Sequence, residues 1–302
     1  MKATTVVLLL CLLLGGVLCA QGEADPYADL WARLDGSTAT IPLSEAIIMD
    51  RLGIDAREAA ARIDHQKTYE AYQALLTGDK DLILVPLPEA WELAHIAKRI
   101  EEQQGEPFVM PELTYTQVVR EALIFITNVA NPVTSLTQQE LRDIYTGRIT
   151  HWSQVRGEPV AIKPFQRNSD SGSQTCFLQL LMQGEEPMPA VASLTHDSMG
   201  YLAQSIAAYD NRDSALGYSM FFYVTQMFGK ENLRLLAVDG VEPSRESIAS
   251  GAYPLVTGYY AVHRSDLPEA HPARRMVAWL LSPEGQAVAC QSGYVPMASA
   301  AQ

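Results

Sequence analysis

The chain predicts an α/β fold in two lobes, each a sheet flanked by helices. Short apolar runs of strand type alternate with stretches of helical periodicity from residue 44 to residue 281, which is the pattern of sheets covered by helices. Two extended, turn-rich segments, 111–121 and 250–255, each lead into an apolar strand. The chain is therefore expected to cross at these points from a first lobe (25–113 plus 256–302) into a second (114–255) and back. Two crossings leave a cleft between the lobes, and such clefts are favoured ligand sites.

In chain order, the strand runs are 83–85, 123–128, 160–165, 215–218, 233–238 and 259–263, dominated by Ile, Leu, Val, Phe and Tyr. Such residues suit a pleated, buried surface. Between them, apolar residues recur with helical period over 44–52, 68–77, 89–101, 137–144, 174–182, 199–209 and 272–281. Helices that return the chain between strands predict parallel pairing. The aromatic run Phe221-Phe222-Tyr223 reads as core.

The amino terminus predicts export. Lys2 precedes an apolar run over 6–14 and a small-residue exit ending at Ala20, the layout of a signal peptide over 1–20. The run falls short of the ~20 residues a membrane span needs. Cys19 stands where a lipid anchor would attach, in competition with cleavage after Ala20, so the destination is a periplasm or an outer surface. Once the signal is removed, two of the four cysteines remain, Cys176 and Cys290. These are either a disulfide or two buried thiols. Lys and Arg number 22 against 35 Asp and Glu, a net charge of −13, which argues against nucleic-acid or anionic-membrane partners. The absence of Cys-x-x-Cys and His-Glu-x-x-His motifs gives no support for a metal. With Gly-x-Gly-x-x-Gly and Walker loops also absent, no cofactor is expected.

Three segments share one chemistry. Arg167-Asn168-Ser169-Asp170-Ser171-Gly172-Ser173-Gln174 places a guanidinium four residues before a Ser-Gly-Ser helix start. Asp35-Gly36-Ser37-Thr38-Ala39-Thr40 and His65-Gln66-Lys67-Thr68 likewise put hydroxyls at helix starts, the second beside a lysine. The first amides of a helix have no intrahelical acceptors and carry positive partial charge. Small residues let an anion approach them, and arginine can grip two oxygens. Each segment alone reads equally as an ordinary cap beside a solvated cation. Together they point to oxyanion binding.

With these residues in view, the chain resembles the phosphate-binding-type (PstS-like) substrate-binding proteins of ABC importers, in the type II periplasmic binding protein superfamily. The resemblance runs from about residue 34 to 297. It is carried by Gly36-Ser37-Thr38, Asn131-Pro132, Leu136-Thr137, the run from Ile144 through Gly147 and Ile149 to Trp152, Arg167 to Ser173, Ala215-Leu216-Gly217-Tyr218, Tyr253-Pro254-Leu255, Ser282-Pro283-Glu284-Gly285-Gln286 and Gly293-Tyr294-Val295-Pro296. It implies two lobes with mixed sheets, an oxyanion ligand of which phosphate is the first expectation, a permease partner and a monomer. It implies that Ser37, Thr38 and Ala39 donate from the first lobe with Thr68, and that Arg167, Ser171, Gly172 and Ser173 hold the ion from the second. Lys67 and His65 are possible additional contacts. One position departs from the family: the aspartate that accepts the proton of hydrogen phosphate falls here at or near Pro86, with Glu89 or a backbone carbonyl as substitutes.

Two other readings exist. The fold could serve a surface sensor for another anion. Alternatively, Ser171 or Ser173 could be a nucleophile with His196 or His151 as base. A Gly-x-Ser-x-Gly elbow is absent, and serines that bind by donating need no base, so a non-enzyme is expected.

Overall fold

The computed structural model describes residues 25–297 apart from 170, 190–193, 197–198, 209–212 and 230. The export signal with Cys19 lies outside the described residues, as do parts of the 199–209 region. No described helix is long and apolar enough to cross a membrane.

Twelve strands are described: β1 (Leu34–Gly36), β2 (Leu82–Val85), β3 (Leu113–Asn128), β4 (Ser135–Leu136), β5 (Lys163–Pro164), β6 (Gln166–Arg167), β7 (Thr195–His196), β8 (Ala215–Met220), β9 (Leu233–Leu235), β10 (Ala237–Val238), β11 (Val256–Arg264) and β12 (Val295–Pro296). Eight of them form one sheet in the order β1-β2-β11-β3-β8-β5, with β9 and β12 also paired to β3. The strands β4/β10 and β6/β7 make two small parallel pairs.

The sheet is mixed, as the family resemblance implies and unlike the parallel pairing that alternation alone predicts. The pairs β1/β2 and β5/β8 are parallel, whereas β2/β11, β11/β3 and β3/β8 run antiparallel. The parallel pairs are those a helical crossover joins. The antiparallel ones involve the two strands that pass between lobes, whose direction local pattern does not encode.

β3 organises the molecule. Its 16 residues extend about 50 Å. Residues Leu113 to Ala122 pair with β11 in the first-lobe sheet, and Leu123 to Thr127 pair with β8 in the second. The polar stretch 111–121 is thus mostly strand rather than open connection. Its alternation of Thr, Tyr, Gln and Val supplies β-propensity that its polarity obscured. Val118 and Val119 join a core with Leu43, Ile47, Tyr259 and Met276, while Leu123 to Ile126 join a second core with Tyr145, Trp152, Phe177 and Tyr218.

The first lobe has three layers. β2 is buried throughout. Leu82 and Leu84 face the helices Ile41–Leu52 and Pro272–Leu280, and Ile83 and Val85 face Thr68–Thr77 and Ala90–Gln104. A strand covered on both sides reads as a continuous apolar run.

Elsewhere several elements run longer than expected, among them Ile41–Leu52, Ala90–Gln104 and Val256–Arg264, and three others change in kind. The run 233–238 breaks at Leu236, whose N–H donates to Phe125 O (2.9 Å), so β9 pairs β3 and β10 pairs β4. Only Lys163–Pro164 of 160–165 is laddered, on the sheet edge where a proline is tolerated. The helix expected over 174–182 begins at Gly172 and widens into a π-helical turn at Phe177–Met182. Cys176 and Cys290 are free thiols, one buried and one half-buried, which settles the disulfide alternative in favour of two thiols.

Candidate functional site

On the first lobe, β1 ends at Gly36 and the chain turns into a short 3-10 helix, Thr38–Thr40, that continues as Ile41–Leu52. Ser37 N–H donates to Leu84 O (3.0 Å), tying the turn to β2. Thr40 Oγ1 donates to Ser37 O (2.9 Å) and Leu84 O (2.8 Å). Only glycine fits at 36, since a Cβ there would lie 2.5 Å from Leu84 O. Buried Asp35 accepts from Gly36 N–H (2.6 Å) and Gln66 N–H (3.1 Å), fastening this turn to the segment before Thr68–Thr77. The Ser37 hydroxyl is 7% exposed and has no partner within the protein. A buried donor without an acceptor costs about 1–3 kcal/mol, which makes this hydroxyl a candidate donor to a ligand oxygen.

On the second lobe, the backbone of Arg167 is clamped. Its N–H donates to Tyr218 Oη (3.0 Å) and Gln174 Oε1 (3.3 Å), and Tyr218 Oη donates in turn to Gln174 Oε1. Burial pushes the Tyr218 hydroxyl well above its usual pKa, so it stays a donor. Arg167 Nη1 donates to Ser173 Oγ (3.1 Å), which lies 2.9 Å from Ser171 Oγ. Whichever serine donates in that pair, the other keeps a hydroxyl hydrogen to offer. Ser171 O accepts from Gln174 N–H (2.8 Å) and Thr175 N–H (3.0 Å), so the loop closes directly into a helix start.

The two sides meet at one cavity of about 380 Å³. Ser37, Thr38, Ala39, Lys67 and Thr68 line it from the first lobe, and Arg167, Ser171, Gly172 and Ser173 from the second. The structure thus brings together all eight residues expected as ligand contacts, with Lys67. His65 is not among the lining residues. Its Nδ1 donates to Ser37 O (3.3 Å) and its Nε2 accepts from Ser44 Oγ (3.2 Å), and burial lowers its pKa. It braces the Ser37 turn from behind rather than lining the cavity as the possible additional contact expected from the sequence. Glu89 does not line the cavity either, Pro86 O accepts from Tyr72 Oη (3.0 Å), and Asn168, whose side-chain amide carries an acceptor oxygen, does line it.

Further lining residues escaped the sequence reading: Cys176, Met220, Tyr223, Met227 and Tyr259 form a largely apolar wall, whereas Pro86, singled out in the sequence, lies beside Gly172. Tyr223, expected in the core, is half-buried and opens a second π-helical turn, Tyr223–Phe228, whereas Phe221 and Phe222 are core. Burial pushes the Cys176 thiol up to about 12, so it remains a neutral, inert wall group. Beside the cavity, Thr175 Oγ1 donates to Glu92 Oε1 (2.9 Å), joining the second-lobe loop to the helix Ala90–Gln104. The polar handles on buried Tyr218 and Tyr259 were the available signal, because such hydroxyls need partners.

Comparisons with known proteins place the chain in a family. The family described as the PBP superfamily domain matches residues 24–284. The phosphate-binding protein PstS of Bacillus subtilis is 26% identical over 180 residues, 58% of this chain and 56% of the relative. A second PstS, from Borreliella burgdorferi, is covered over 63% of its length, so the chain aligns with less than two thirds of either. Protein SphX of Synechococcus elongatus is 22% identical over 278 residues, 87% of this chain and 76% of that protein. Among solved structures, an ABC-type phosphate transport receptor from Vibrio cholerae superimposes with a TM-score of 0.62 at 22% identity, covering 87% of this chain and 98% of that one. PstS from Borrelia burgdorferi gives 0.54 at 20% identity, over 87% and 97%. The architecture is the two-lobed type II periplasmic binding fold. The chain belongs to the PBP superfamily domain family.

Proposed function

We propose that this protein is an exported, non-enzymatic solute-binding protein that captures a tetrahedral oxyanion of the phosphate class and delivers it to an ABC importer. One observation carries the reading: hydroxyls, helix-start amides and a guanidinium from two lobes converge on a single cavity. The relatives named as phosphate-binding proteins support the same ligand class and the transport partner. The serines favour binding over hydrolysis, since Ser171 and Ser173 are bonded to each other and Ser173 to the Arg167 guanidinium, while His151 pairs with Thr150 Oγ1 (3.0 Å) and does not line the cavity. The side chain of His196 is outside the described set.

Binding on this reading is closure of two lobes about β3 and β11. Neither half of the donor set satisfies an ion alone, so the ligand favours the state in which both reach it. The strong negative charge of the whole chain is overcome locally, because screening at physiological salt acts over about 8 Å. Titration calorimetry with phosphate tests the site. Arg167→Ala is expected to weaken binding roughly a hundredfold, the loss of charge-assisted hydrogen bonds. Unchanged affinity would refute the assignment.

A further inference from the structure

We propose that Glu92 and Thr175 form a latch across the cleft, and that this hydrogen bond sets how tightly the protein holds its oxyanion. The inference rests on the oxyanion reading above and adds to it a positioning pair that does not touch the ion.

The pair joins the two lobes beside the cradle. Thr175 follows Ser173 in the helix Gly172–Cys176, so it moves as one body with the Ser171-Gly172-Ser173 loop. It is 4% exposed, and its Oγ1 donates to Glu92 Oε1 (2.9 Å). Glu92 stands in the first turn of the helix Ala90–Gln104 on the opposite lobe. Its other oxygen, Oε2, accepts from Glu89 N–H (2.6 Å), which fixes the carboxylate on its own helix and leaves Oε1 for Thr175. Neither residue lines the cavity, so both act through the position of the loop.

Thr175 has a second place for its one hydroxyl hydrogen. Ser171 O, one turn back, lies 3.4 Å from Oγ1, and this i−4 carbonyl is one that a helical threonine commonly uses. Closure therefore exchanges a long bond within the helix for a short one to a carboxylate, and charge-assisted bonds are the stronger kind. Glu92 is only half-buried, so it keeps part of its hydration when the bond forms. Opening returns Thr175 to Ser171 O and the Glu92 oxygen to water. The exchange biases the lobes towards the arrangement in which both halves of the donor set reach the ion. Apparent affinity scales with the population of that arrangement, so the latch tightens binding without a contact to the ligand.

Titration calorimetry and stopped-flow dissociation of the mature protein with inorganic phosphate test the latch. Thr175→Val keeps the side-chain shape and removes the hydroxyl. It should weaken binding about tenfold, the loss of one charge-assisted hydrogen bond, chiefly through faster dissociation. Thr175→Ser keeps the hydroxyl and should recover most of that loss. Glu92→Ala should cost as much as Thr175→Val, and the double variant should bind no more weakly than either single one, because partners in one bond do not add. Wild-type affinity and dissociation rate in Thr175→Val would overturn the latch, as would single effects that add in full. The two Thr175 variants decide the question by themselves if Glu92→Ala fails to fold. A wild-type protein that takes up no phosphate would sink the oxyanion reading instead. The ligand-free radii of gyration then decide the latch: a larger value in Thr175→Val than in wild type upholds it, and equal values overturn it.

Discussion

Gly172 is a residue at which the two lobes press together. A Cβ there would lie 3.0 Å from Pro86 Cγ and 3.4 Å from Thr68 Oγ1, groups on the opposite lobe. Gly172→Ala should therefore hold the lobes slightly apart and weaken oxyanion binding at least fivefold, the low end of the roughly 1–3 kcal/mol that overpacking costs. Its melting temperature without ligand should barely move, because neither core is touched. Calorimetry beside a thermal melt separates the two, and a variant that binds normally would show that this contact does not govern closure. The role of Gly172 as a site residue was legible in sequence from its Ser-Gly-Ser context. Its second duty, as spacer against Pro86, was not, since 86 residues separate the two positions.

Among elements, β3 carries a buried charge that its sequence pattern hides. Glu121 is 1% exposed and sits between residues serving the two cores, with Oε1 accepting from Ala122 N–H (2.8 Å) and Phe222 N–H (3.2 Å). Burial raises its pKa to about 7. The unfolded chain titrates this carboxyl near 4.5, so between these values the folded state holds the extra proton. Stability from this group is thus full below about pH 4.5, declines as pH rises, and levels off above about 7. Glu121→Gln keeps an acceptor and removes the titration. It should flatten that decline and stabilise the protein at pH 8 by on the order of 3 kcal/mol. Urea unfolding at pH 5 and pH 8 measures it, and equal pH dependence in both proteins would show that Glu121 is not the titrating group. Helix positions were easier to read than this strand: 68–77 matches the observed Thr68–Thr77, because period and caps are local. β3 and β9 depended on partners far along the chain. The two π-helical turns, both beginning next to cavity residues, follow no local signal in the sequence.

At the scale of the molecule, closure predicts a change of shape. Saturating oxyanion should lower the radius of gyration measured by small-angle X-ray scattering, and Arg167→Ala should not contract under the same conditions. A wild-type profile indifferent to every ligand tested would refute closure. Composition, alternating periodicities and three hydroxyl-bearing helix starts were enough for the sequence to determine an α/β chain, two lobes and the residue types that meet an oxyanion. These properties reside in short segments, where hydrogen-bonding capacity and periodicity are written residue by residue. Strand direction, the shared strand β3, the withdrawal of His65 to a brace and the largely apolar wall of Tyr223, Met227 and Tyr259 were decided only by the tertiary structure. Each depends on which distant segments the two cores and the common sheet bring side by side, and sequence spacing carries no measure of that distance.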